Sequence, residues 1–470
     1  MFRLALRALL ARPVRSSVLA CGFGLGVSVM ASLLGIGEVI LEQARSPALA
    51  GGGHVSIGGA TDMLPSAKFM LSNVLSRPPL GHYVEAASPW ARDTLYLMRD
   101  GDPVQIRAKG GIPSLERALG DVETAGFEAW VDAPRDAAWL DPDPDDVLRA
   151  MDRFHPIPDV PHRADSWAEW LYFNGQTGET RFYLTFMVGP RADSGRRLAG
   201  VRLQLDRDGR MTSYTASEEI DEPTLLADAP DMTIGGNAVR LDGATYRISL
   251  DLIRQAGSTG ATERLTGDIV LDPEPGQAFP PFSIDGANGW VTGYVVPVLS
   301  GSISGALTIG TERVTLDGGR GYHDHNWGFW EGVSWRWGQV QHEDVSFVFG
   351  RIHPPPDAAD PERMPGFLAA IGPDGPLGYV TRVTISEIED EDDPNLGRPR
   401  RIIVRGWSRQ MNVTMELDVE AAEVTRMDRG LFGGDMDFLQ MRVTYRVTGH
   451  IGDERIEFTA PGAAETFRAR

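Results

Sequence analysis

At 470 residues, 42% hydrophobic and 23% charged, the chain is globular in composition and long enough for two to four domains. Its formal charge of −20, from 65 acidic against 45 basic residues, repels phosphate backbones and excludes nucleic acid as a partner. Cys21 is the single cysteine, so no intrachain disulfide is available, and 54 Gly with 32 Pro favour many turns and short strands.

The first element is apolar. Ser16 to Gly37, "SSVLACGFGLGVSVMASLLGIG", is 22 residues without a charge, which as a helix reaches ~30 Å, about one hydrocarbon thickness. Arg3, Arg7, Arg12 and Arg15 precede it with no acidic residue among them. The positive-inside rule then keeps the N-terminus cytoplasmic and sends the bulk of the chain across, into the periplasm if the membrane is a bacterial inner membrane. Two alternatives fit less well. A signal peptide cut after Ala48-Leu49-Ala50 has Glu38, Glu42 and Arg45 between its apolar run and the cut, and a lipoprotein cut at Cys21 leaves only Ser16 to Ala20 as its apolar part.

Residues 46–140 read as a small α+β domain, with strands at Thr94 to Met98 and Val104 to Ala108 and a short helix at Ser114 to Leu119. "DPDPDD", Asp141 to Asp146, opposes helix and sheet alike and reads as a linker. From Trp167 the grammar is β: "WAEWLYFNGQTGETRFYLTFMVG" predicts a hairpin, and aromatic or β-branched runs recur about every ten residues to the C-terminus. This divides into two consecutive antiparallel β units, 141–330 and 331–470. The acidic run Glu387 to Asp393 reads as a solvated hairpin tip.

Chemistry concentrates in "GYHDHNWGFWEG", Gly321 to Gly332. The flanking Gly321 and Gly328 predict a sharply held turn. If Tyr322 to His325 is extended, Tyr322 and Asp324 share one face and His323 and His325 the other. A metal site would use His323 and His325 and needs a third ligand from His342, Glu343 or His353; the pattern supplies no ligand spacing for it, and no metal or cofactor is expected. Nucleophile elbows and phosphate-cradling loops are missing. What remains is acid chemistry: Asp324 among Tyr322, Trp327 and Trp330 would be desolvated and kept protonated, and Trp335 and Trp337 would line the site as π faces for a cation. The rival reading has Asp324 capping a turn and the tryptophans filling a core.

"GYHDHNWG" together with "EWLYFNG", Glu169 to Gly175, resembles the carotenoid 1,2-hydratase (hydroxyneurosporene synthase, CrtC) and AttH-like family over residues 155–470. The resemblance implies two lipocalin-like (calycin-type) β domains. In the hydratases it implies a cofactor-independent hydro-lyase that adds water to the terminal double bond of an acyclic carotenoid. It places Tyr322 and Asp324 as acid and partner, His323 and His325 beside them, and Glu169, Trp170 and Tyr172 with the tryptophans around the substrate. The family's upstream segment with a His and a Trp has "GYVVPV", Gly293 to Val298, as its counterpart here, without either residue. Ala5 to Val29 and Gly111 to Asp121 resemble the first helix and extracytoplasmic core of MacB or FtsX-type ABC transporter permeases, implying transporter subunits as partners.

Two functions follow. One is a membrane-anchored hydratase, isomerase or cyclase acting on a long apolar isoprenoid-like substrate through Asp324. The other is a non-catalytic periplasmic lipid-binding or adaptor protein serving an ABC exporter.

Overall fold

The computed structural model describes residues 55–57, 67–76, 80–99, 102–121, 124, 129–256, 261–389, 398–427 and 436–469. The apolar segment 16–37, Cys21 and residues 48–50 lie outside the described residues, and no described helix is long and apolar enough to cross a membrane. The chain divides into two units, Met1–Ile57 with Ala86–Pro134, and Gly58–Glu85 with Arg135–Arg470.

In the first unit, β1 (Trp90–Arg99) and β2 (Asp102–Gly111) form an antiparallel ribbon, followed by a helix at Pro113–Ala118. Lys109 Nζ lies 2.7 Å from Glu116 and 2.6 Å from Asp121, so two buried acids share one cation.

The second unit is almost wholly β. Its first sheet contains β3 (Trp167–Thr177), β4 (Thr180–Arg191), β5 (Arg197–Arg207), β6 (Arg210–Ile220), β7 (Met232–Ile234), β8 (Asn237–Asp242), β9 (Thr245–Ala256), β10 (Ala261–Pro273), β11 (Phe279–Asp285), β12 (Val291–Ile309), β13 (Glu312–Thr315) and β14 (Gly319–Phe329). Eight of these close a circuit in the order β10-β12-β14-β3-β4-β5-β6-β9, with β9 pairing back to β10. The second sheet runs β15 (Ser334–His342), β16 (Val345–His353), β17 (Phe367–Gly372), β18 (Gly375–Val380), β19 (Val383–Glu389), β20 (Pro399–Trp407), β21 (Met411–Met427), β22 (Met436–Ile451) and β23 (Glu454–Ala469). Its order, β18-β17-β16-β15-β23-β22-β21-β20-β19, leaves both ends open.

Strand alternation sorts the side chains into three layers. Leu171, Phe173, Leu184, Phe186 and Ile269 fill the barrel. Tyr445, Met415, Val404 and Phe349 fill the curl of the second sheet. Between the barrel's outer face and the second sheet lies an aromatic layer that includes Trp170, Tyr172, Tyr294, Tyr322, Trp337 and Phe467.

Three expectations are corrected. Residues 141–146 are no linker, because Pro144–Met151 is a helix. Pro144 sits at its first position, where no amide is needed, Asp143 caps it by accepting from the Asp145 amide at 2.9 Å, and Asp145 and Asp146 face the positive end of the dipole. The Gly321–Gly328 motif is no turn but an interior strand, paired to β12 on one side and β3 on the other. Gly321 is there for close approach, since a Cβ would sit 2.5 Å from Ile303 Cγ2; only Gly328, at φ +151°, needs glycine's backbone freedom. The acidic run departs from the solvated-tip reading at Glu387, which lies in β19 and binds Arg336 at 2.9 Å and Arg468 at 3.0 Å; residues 390–393 of that run lie outside the described residues.

Candidate active site

β14 presents two faces, and each carries its own chemistry. The odd residues His323 and His325 turn into the barrel. The even residues Tyr322, Asp324 and Asn326 turn to the layer between the sheets, as the period-2 reading of the motif requires.

Inside the barrel the two histidines meet the segment that follows the helix Pro144–Met151. Asp152 is fully buried, and its Oδ2 lies 2.9 Å from His323 Nε2 while its Oδ1 lies 2.9 Å from His325 Nδ1. Tyr246 donates its hydroxyl to the same carboxylate at 3.1 Å. His323 Nδ1 donates to the Tyr172 carbonyl at 2.9 Å. His325 Nε2 lies 2.9 Å from Glu169 Oε1, which also sits 2.7 Å from His155 Nδ1. Burial alone would push both acids up, but the facing imidazoles outweigh it and hold Asp152 well below, and Glu169 below, the usual carboxylate range. Burial would lower His325, yet hydrogen bonds to Asp152 and Glu169 push it up to about 9.

His155, Glu169 and His325 are a metal-type trio by residue kind. Their donor atoms, 2.7 and 2.9 Å apart, are too close to share a tetrahedral zinc, whose ligand atoms stand about 3.4 Å from one another when the bonds are ~2.1 Å. These are hydrogen-bond distances, with a proton between each pair. The third ligands expected for a His323–His325 site lie elsewhere: His342 stacks on Phe458 at 4.4 Å, and His353 Nε2 accepts from Arg336 at 3.1 Å.

On the other face Asp324 is 3% exposed. Its Oδ2 accepts from the Tyr322 hydroxyl at 2.8 Å and its Oδ1 from Asn326 Nδ2 at 2.8 Å. The Tyr322 hydroxyl lies 2.7 Å from that of Tyr294, which accepts from the Trp337 indole at 2.9 Å. Because Tyr322 donates its one hydroxyl proton to Asp324, the proton between the two tyrosines is that of Tyr294, and the chain of donors runs from the Trp337 indole to Asp324. Trp337 thus ties the second sheet to the acid on the first.

A second buried carboxyl faces this group. Glu465 on β23 is the register partner of Trp337 on β15, while Tyr172 on β3 is the register partner of Asp324 on β14. The Tyr172 hydroxyl reaches Oε1 of Gln440, the register partner of Glu465, at 3.4 Å, so the two pairs join across the sheets. Burial raises Glu465 to about 7, although the neighbouring polar groups of Tyr172 and Gln440 and the charge of Arg202 favour its ionised form. Burial, then the charge of Glu465, hold Asp324 well above the usual carboxylate value, against the pull of Tyr322 and Asn326.

The structure therefore brings Asp324, Tyr322, Tyr172 and Trp337 into one cluster. Trp170, Trp330 and Trp335 form a second aromatic group in the same layer with Phe467, at ring separations of 4.6 to 6.4 Å. His323, His325, Glu169 and Trp327 stand apart from them, with Trp327 stacked on His155 at 4.3 Å. The residues of these two networks that the sequence did not single out are Asp152, His155, Tyr246, Tyr294, Asn326, Gln440 and Glu465. Tyr294 lies in "GYVVPV", the segment that carries neither the His nor the Trp of the family pattern. An open cavity of about 450 Å³ on the second sheet, lined by Arg351, Arg382, Arg405 and Trp407 among others, shares no residue with this cluster.

No protein-family model and no curated protein sequence matches the chain. Among solved structures the fold is similar to a candidate AttH from Nitrosomonas europaea (TM-score 0.41, 15% identity, covering 67% of this chain and 99% of that one). It is also similar to CghA (TM-score 0.41, 14% identity, 68% and 94%) and to kievitone hydratase from Nectria haematococca (TM-score 0.40, 13% identity, 67% and 95%). At these TM-scores none of the three likenesses bears on the chemistry of this chain.

Proposed function

We propose that the chain adds water across a carbon–carbon double bond, in the layer between its two sheets, without a cofactor. The observation that supports this is a pair of buried carboxyls on facing sheets, Asp324 kept neutral and Glu465 poised near neutrality. Asp324 gives its proton to one alkene carbon. The cation left on the other carbon lies against the faces of Tyr172 and Trp337. A water oxygen bonds to that carbon and its surplus proton passes to Glu465, so H and OH have been added and no electron has changed hands. A proton returning from Glu465 to Asp324 restores the site.

Incubating the protein with a panel of acyclic isoprenoids and their oxygenated derivatives, and seeking a product heavier by one water, tests the reading. A bound but unaltered lipid would favour the carrier function instead. Anchoring by Ser16 to Gly37 and association with ABC transporter subunits belong to the same proposal and rest on the sequence. Protease shaving of membrane vesicles tests the anchor, and co-purification tests the transporter.

A further inference from the structure

The layer between the sheets is not uniformly apolar. Around the two carboxyls stand Asn174 on β3, Gln339 on β15 and Gln440 on β22, each at least nine-tenths buried, as is Glu465. Register places them together. Gln440 is the partner of Glu465, Gln339 lies two residues after Trp337 on one face of β15, and Asn174 lies two residues after Tyr172 on one face of β3. Gln339 Nε2 donates to Asn174 Oδ1 at 3.1 Å across the sheets, and the Tyr172 hydroxyl reaches Gln440 Oε1 at 3.4 Å.

Each of these side chains has a spare polar atom. Asn174 Nδ2, Gln339 Oε1, Gln440 Nε2 and Glu465 Oε1 have no hydrogen-bond partner. Exchanging N and O in the bonded amides of Asn174 and Gln339 leaves one spare end on each, so the result does not depend on amide orientation. A buried polar atom left unpaired costs roughly 1–3 kcal/mol, so four in one layer is a standing cost that packing alone does not explain.

We propose that this polar set is a subsite for hydroxyl or carbonyl oxygens on the substrate, close to the double bond that Asp324 protonates. The proposal rests on the hydration reading and narrows it: the substrate is an oxygenated molecule and not a pure hydrocarbon. Spare donors on Asn174 and Gln440 and spare acceptors on Gln339 and Glu465 match a group that both gives and takes hydrogen bonds, as a hydroxyl does. A hydrocarbon chain satisfies none of them. The apolar part of such a substrate has Trp170, Trp330, Trp335 and Phe467 in the same layer.

The test has two arms, neither of which needs turnover. In the first, Asn174→Leu is combined with Gln339→Met, removing a bonded pair together with both spare atoms. If those atoms serve a ligand, the ligand-free double variant melts at or above the parent temperature. A melting temperature lower by several degrees would mean the pair is structural and would overturn the proposal. In the second arm, farnesol and the hydrocarbon farnesene are titrated against the Asp324→Asn protein, read by tryptophan fluorescence. Farnesol is expected to bind about tenfold tighter or better, by ~1.4 kcal/mol per decade, and that preference is expected to vanish in the background of the double variant. Equal or tighter binding of farnesene would overturn the proposal, and if neither probe binds, the melting temperatures decide. Selective binding of farnesol by the Asp324→Asn protein, with no hydrated product when the parent protein is incubated with farnesol and the wider panel, would sink the hydration reading while leaving this one standing.

Discussion

Replacing Asp152 by Asn strikes the barrel's buried charge network at its centre. The carboxylate accepts from His323 and His325 at 2.9 Å and from Tyr246 at 3.1 Å, with all of the partners fully buried. Breaking a buried ion pair by removing one side costs about 3–5 kcal/mol, so a loss of about 4 kcal/mol at pH 7 is expected. His325 gives an independent magnitude. Its rise from the ordinary 6.5 to about 9 is worth roughly 3 kcal/mol. Because the folded-state value lies above the ordinary one, that stabilisation is whole below about pH 6.5 and is lost as pH rises through about 9. In Asp152→Asn the largest raising contribution is gone while burial still opposes the charge, so the decline with pH should flatten. Urea unfolding of parent and variant, followed by tryptophan fluorescence at several pH values from 6 to 9.5, measures both effects. Glu465 also titrates near this window, but it does so in both proteins, and their difference isolates the histidine. Parallel stability curves between pH 6.5 and 9, or equal stability at pH 7, would refute the reasoning.

Asp324→Asn should cut turnover by about 10²–10⁴-fold, the usual worth of a general acid, with no loss of stability. Since the folded-state value is raised, ionisation of this carboxyl penalises the fold above the ordinary pKa, and the amide variant should gain stability at pH 7 relative to pH 4 in thermal melts. Glu465→Gln should remove the limb of the pH–rate profile near 7 and, by deleting the charge that raises Asp324, move the alkaline limb to lower pH. Gly328→Ala places a Cβ 2.7 Å from the Val291 carbonyl oxygen at φ +151°, and a loss of about 1–3 kcal/mol is expected in urea unfolding.

The β architecture was legible because aromatic and β-branched runs between turn residues leave little else to form, and the period of two along Tyr322 to His325 gave the two faces of β14. The motif's conformation was misjudged because a glycine has two physical uses. Gly321 answers to the side chain of Ile303 packed above it, a contact 18 residues away in sequence that composition does not reveal. Asp152 and His155 were missed together for one reason: alternating Pro and Asp at 141–146 argue against a helix interior, whereas Asp143 and Pro144 are the start of one. Once that helix is read as a linker, nothing directs the next residues into the barrel. Glu465 is a lone acid in "GAAETFRAR", and only the pairing of β23 with β15 sets it beside Trp337. Pairing partners so distant in sequence are decided by tertiary packing.

The two faces of β14 also act on one another. His325, held charged by Asp152 and Glu169, pulls the pKa of Asp324 down through the strand, while Glu465 across the layer pushes it up. Burial and Glu465 prevail, so the acid stays protonated, but the imidazolium lessens the cost of the carboxylate that forms when the proton leaves. An acid held too firmly neutral gives up its proton poorly, and one held too weakly has none to give. Under the proposed hydration, a positive charge fixed one residue away, on the face turned into the barrel, sets that balance without occupying space in the layer between the sheets. His325→Gln therefore ought to raise the Asp324 pKa further and slow proton donation, even in a variant whose fold is rescued by added stabiliser. If turnover in the rescued variant equals the parent's, the two faces are independent and the histidines belong to the fold alone.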